Sequence, residues 1–73
     1  MRELWPLRSL SELMYKTVKI TCIDGREVFG EADGFCDAFE LEEQQELITI
    51  RTAGGRTDGA FFDEIASVTV LDE

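Results

Sequence analysis

The sequence predicts a mainly β fold: a five-stranded, strongly bent antiparallel barrel preceded by one helix. Three observations carry this. From Val18 to Cys22 apolar and polar residues alternate, the period of a half-buried strand. Beyond Asp24-Gly25, the run Glu27 to Phe35 sets Val28, Gly30, Ala32 and Gly34 on one parity. Small residues along one face let a strand turn sharply at a barrel corner. In the first fourteen residues the apolar positions recur instead at spacings of three and four, which is helical.

The elements follow in order. Leu4, Leu7, Leu10, Leu13 and Met14 form one apolar stripe, so a helix is expected over about residues 6–14. Pro6 suits its first position, while Ser9 and Glu12 have the spacing of a capping box that would start it later. A helix this short is marginal alone, so its stripe must dock on the rest of the chain. Strands are expected over about residues 16–23, 27–36, 46–52, 59–63 and 65–71. Of these, Ile48 and Ile50 point inward on the third, and Ala66, Val68 and Val70 alternate through the last. The stretch Ala53 to Gly59 reads as a turn.

Parity constrains the first hairpin. A two-residue loop at Asp24-Gly25 would set Glu31 opposite Val18 and turn one face inside out. A three-residue loop over Asp24, Gly25 and Arg26 keeps the faces matched. It pairs Cys22 with Val28, Ile20 with Gly30 and Val18 with Ala32.

Composition narrows the function. The chain has 73 residues, the size of one domain spanning 1–73, and carries a formal charge of −9. From Glu27 to Glu46 there are eight acids and no base. Nucleic-acid backbones are held chiefly by Lys and Arg, so this belt disfavours non-specific binding and reads as a solvated face. The chain has no His, and Cys22 and Cys36 are its only cysteines. A zinc site is therefore not expected, nor any cofactor, and the calcium-loop spacing of acids is missing. With no leader-like stretch at the N-terminus and no long apolar run, a cytoplasmic location without membrane association is expected. There the two thiols stay reduced. Glu42-Glu43 and Asp63-Glu64 are adjacent acids that read as solvated, and no catalytic activity is expected. Trp5 and Tyr15 flank the helix and read as packing it onto the barrel mouth. So small a core favours oligomerisation as the added source of stability.

The run Val18-x-Ile20-x-Cys22-x-Asp24-Gly25-x-x-Val28-x-Gly30-x-Ala32-x-Gly34-Phe35 resembles the first motif of the Sm/LSm family. Phe62-x-x-Ile65-x-x-Val68-x-Val70-Leu71 is similar to the end of its second. The chain most resembles the short LSm-like proteins of Gram-positive bacteria, and the resemblance covers nearly its whole length. It implies an Sm-like, SH3-like barrel that assembles into a homo-oligomeric ring, the fourth strand of one subunit pairing with the fifth of the next. Phe61, Phe62, Val68 and Val70 would then lie at the subunit interface.

The resemblance also implies binding of single-stranded RNA through two loops. The first carries an Asp and, four residues on, an Asn; here those positions fall on Cys36 and Glu40. Shifting by one supplies Asp37 but leaves Leu41 for the Asn. The second carries Arg-Gly, where this chain offers Asp58-Gly59 and an inverted Gly55-Arg56. The candidate RNA-binding residues are therefore Asp37, Phe39, Arg56 and Gly59, with Phe39 as the aromatic on which a base stacks. Two functions remain open. One is a ring-forming LSm-like protein with weak RNA binding. The other is an acidic small-barrel adaptor or assembly module that binds another protein.

Overall fold

The computed structural model describes residues 2–37 and 44–71. Six antiparallel strands form one open sheet: β1 (Arg2–Glu3), β2 (Thr17–Cys22), β3 (Glu27–Cys36), β4 (Leu47–Arg51), β5 (Thr57–Phe61) and β6 (Ile65–Val70). Their spatial order is β1-β6-β2-β3-β4-β5. The fold is mainly β, as the alternating segments predict.

The N-terminal helix is the clearest correction. Among the described residues there is no α-helix, and only Leu10–Leu13 coil, as a single 3-10 turn. The spacing explains the error. Leu4, Leu7, Leu10 and Leu13 are each three apart, and a period of three residues per turn belongs to the 3-10 helix, which is used in short pieces. The start is set by Ser9, not Pro6. Ser9 Oγ accepts a hydrogen bond from Ser11 N at 3.2 Å, and Glu12 Oε2 accepts one from Ser9 N at 3.3 Å. The stripe still docks: Leu10 and Leu13 are fully buried, and Leu4, Leu7 and Met14 pack against the same core.

Both tight hairpins use one loop design. Cys22 N donates to Arg26 O at 2.8 Å and Gly25 N to Cys22 O at 3.0 Å. Thr52 N donates to Arg56 O at 2.8 Å and Gly55 N to Thr52 O at 3.0 Å. Each loop has three residues and ends on a glycine at positive φ, +91° for Gly25 and +80° for Gly55, a common way to close a hairpin. The first loop is thus Ile23-Asp24-Gly25, one residue earlier than expected. Face matching survives, but the pairing is Ile20 with Val28 and Val18 with Gly30. Parity does not separate these two loop placements, because both keep the inward residues of β2 and β3 opposed. The second loop releases the chain at Thr57, so β5 begins before the expected residue 59. Phe62–Glu64 form a 3-10 turn in place of its last residues.

β3 joins two halves of the sheet. It pairs with β2 through Glu27 to Glu31 and with β4 through Glu31 to Cys36. The register shifts between Ala32 and Gly34, making Asp33 the extra residue of a bulge. Gly30 and Ala32 face inward as expected, but the bulge turns Gly34 outward, beside the side chain of Thr49. A second shift, at Thr21/Cys22, pairs Cys22 with Ile65. Ile65 thereby joins the core and Ala66 is exposed, against the simple alternation.

The sheet curls round one core. Val18, Ile20, Val28, Ala32, Ile48, Ile50, Ala60, Val68 and Val70 all meet there, and among the described residues no polar side chain is buried. Curling is visible in Arg26. From the head of β3 its Nη2 reaches Gly59 O on β5 at 3.4 Å, although β4 lies between these strands in the sheet. In a flat sheet that separation would be about 10 Å.

Candidate functional site

Among the described candidates for RNA binding, Asp37 and Arg56 lie at opposite ends of β4. Asp37 follows Cys36, which pairs with Leu47, which in turn pairs with Phe61. Arg56 precedes Thr57, which pairs with Arg51 at the far end of the same strands. Four strand residues separate the two rows, roughly 13 Å along the chain direction. Gly59 lies between them inside β5, not in a loop. Its N–H donates to Asp58 Oδ1 at 2.8 Å and its carbonyl accepts from Arg26. Arg56 sits in the exposed turn and its carbonyl accepts from Thr52 Oγ1 at 3.2 Å. Phe39 lies outside the described residues, as do Glu40 and the pair Glu42-Glu43.

The turn before the last strand is acidic. It is Phe62–Glu64, and its backbone is tied to the segment that enters β4. Asp63 N donates to Gln45 Oε1 at 3.0 Å, and Phe62 N to Glu46 O at 3.0 Å. Glu64 Oε1 accepts from Phe61 N at 3.0 Å. Three of the surface cations face a carboxylate of the protein itself. Arg51 meets Glu31 at 3.0 Å, Lys19 meets Glu27 at 3.1 Å, and Arg26 meets Asp58 at 3.7 Å. These exposed pairs add little stability, but they engage cations that a phosphate chain would otherwise draw on. The Arg26 guanidinium is held above its ordinary pKa, first by the Cys22 side chain and then by the charges of Asp58 and Asp24. Arginine is already protonated at any working pH, so this changes no charge.

Sequence reasoning missed Glu46. It belongs to the acidic run that reads as solvated, yet its carboxylate fastens the N-terminal segment. Oε1 accepts from Leu10 N at 2.7 Å and Oε2 from Ser9 Oγ at 3.0 Å. The available signal was the Ser9–Glu12 capping box, which announces a turn whose first N–H groups need an acceptor. Nothing in the spacing of Glu46 announces that it supplies one. Glu46→Ala is expected to cost about 1–3 kcal/mol, because it strips the acceptor from a part-buried N–H. A lowered urea midpoint at unchanged slope checks this, and Glu46→Gln should lose less.

The expected interface residues fall into two groups. Val68 and Val70 have their side chains fully buried in the core, so at these positions β6 offers a neighbour its backbone edge and not those side chains. Phe62 packs on the core and against Trp5, ring centroids 5.2 Å apart at 48°. Phe61 is half-buried and in register with Leu47 and Cys36. Trp5 thus packs as expected, whereas Tyr15 is 77% exposed at φ +66°.

Cys22 is buried, Cys36 is half-buried, and both are free thiols. Among the described residues no three Cys, Asp or Glu side chains are grouped to hold a metal ion, and no helix is long and apolar enough to cross a membrane. Comparisons with protein-family models, curated proteins and solved structures find no match.

Proposed function

We propose that this chain is an Sm-like, ring-forming, non-enzymatic module of the cytoplasm with weak affinity for single-stranded RNA. One observation carries the assembly. Leaving β1 aside, the five remaining strands run in space as last, first, second, third, fourth. The fourth and the last, β5 and β6, are therefore the two ends of that set. These are the strands that the sequence resemblance assigns to the seam between subunits. Pairing them between copies would cover edges that are otherwise templates for uncontrolled association.

A second reading has its own support. Asp58 stands where the resemblance implies the Arg of an Arg-Gly pair, and Asp37 and Arg56 are far apart along the strands. These favour an acidic adaptor that binds protein. Sedimentation across a concentration series, with titration of short U-rich and A-rich RNA at low salt, separates the two. A ring that binds RNA, with affinity falling as salt rises, is the expected result. A ring without RNA binding at low salt transfers the function to the adaptor, and a monomer throughout removes the ring.

A further inference from the structure

The two ends of the sheet are not equivalent. Among the described residues β5 has no strand on its outer side. The outer side of β6 is partly taken: Arg2 pairs with Val70 and Glu3 with Thr69. Leu4 N then donates to Val68 O at 2.9 Å. Among the described residues, Ile65, Ala66 and Ser67 have no strand partner on that side. An incoming five-residue strand would find half of β6 occupied.

We propose that β1 is a displaceable cap, competing with β5 of a second copy for the outer edge of β6 and so setting the concentration at which the chain assembles. This rests on the ring reading above. The occupant is argued from the molecule itself. β5 is the other open edge of the same sheet, five residues long against the six of β6. The cap is weak by construction, being two residues long with both exposed, and strands so short are marginal. It is also hinged. Glu46 pins Ser9 and Leu10, and Leu10 and Leu13 are sealed in the core. Residues 2–4 can therefore lift away, giving up only the partial burial of Leu4, while Trp5 against Phe62 and Leu7 against the core keep the segment behind them seated. What keeps the cap in place at low concentration is its tether: an attached strand competes at a high effective concentration, and a free copy does not.

The test locks and unlocks one protein. Glu3→Cys with Thr69→Cys places cysteines on paired positions of β1 and β6, in a Cys36→Ser background. Sedimentation velocity then compares the oxidised and reduced forms across a concentration series. The oxidised form is expected to stay monomeric where the reduced form assembles. Leu4→Pro, which removes the N–H given to Val68, is expected to assemble at a concentration about tenfold lower than the natural chain. Equal assembly of oxidised and reduced forms overturns the cap and leaves the ring standing. A monomer in every form, Leu4→Pro included, overturns both. Should Leu4→Pro fail to fold, the oxidised and reduced pair still decides.

Discussion

Gly30→Val is expected to destabilise the chain severely. Gly30 lies at the point where β3 passes from β2 to β4, with φ +154°. A Cβ built there would collide with the backbone carbonyl of Arg51 and with the Ile50 side chain. A colliding backbone cannot swing away as a flexible side chain does, so β4 itself must move. Overpacking and strained φ together cost about 3 kcal/mol or more. A domain of this length has roughly 4–11 kcal/mol in total at ~0.05–0.15 per residue. Gly30→Ala should already remove much of that. Gly25 is the control: φ is also positive, at +91°, but a Cβ there meets nothing within 4 Å. Gly25→Ala should cost only about 1–2 kcal/mol, the conformational term alone. Urea denaturation of the three variants checks the ranking. Equal losses at the two glycines would refute a steric role for Gly30.

Leu13→Ala is expected to cost about 2–5 kcal/mol, the range for deleting a large buried aliphatic group. Leu13 has no exposed surface and sits with Leu10 in the core, the turn that carries them packing chiefly on β3 and β4. The comparison that matters is with Leu7→Ala. Leu7 also belongs to the apolar stripe but is only partly buried, so its loss should be markedly smaller. Thermal or urea unfolding of both variants reads the difference. Similar losses would mean that the segment before Ser9 is as firmly packed as the turn after it.

The alternating segments were legible because a half-buried strand writes its burial at every second residue. Val18, Ile20, Val28, Ile48 and Ile50 lie inside, where the alternation puts them. The N-terminal segment misled because leucines spaced by three satisfy an α-helical stripe and a 3-10 turn alike. The capping box at Ser9 was the better guide, since it specifies a hydrogen-bonded start and not merely a face. Glu46 was illegible for another reason. Its partners, Leu10 and Ser9, are 36 and 37 positions away, and no local pattern records a contact across that distance. The candidate RNA-binding residues were chosen by motif position. The sequence could not say that Arg56 and Asp37 would be set at opposite ends of β4, because that depends on register.

The bulge at Asp33 changes how the chain should be compared with others. β3 carries two phases: up to Ala32 the even-numbered residues face the core, and beyond Asp33 the odd-numbered Phe35 does. One inserted residue acts on side-chain direction as a frameshift acts on codons. Gly30-x-Ala32-x-Gly34 therefore alternates letter by letter but not face by face. An alignment of this strand that counts alternation straight through will put Gly34 inside and Phe35 outside. Correspondence with another chain is best judged separately on either side of Asp33, with the phase reset between them.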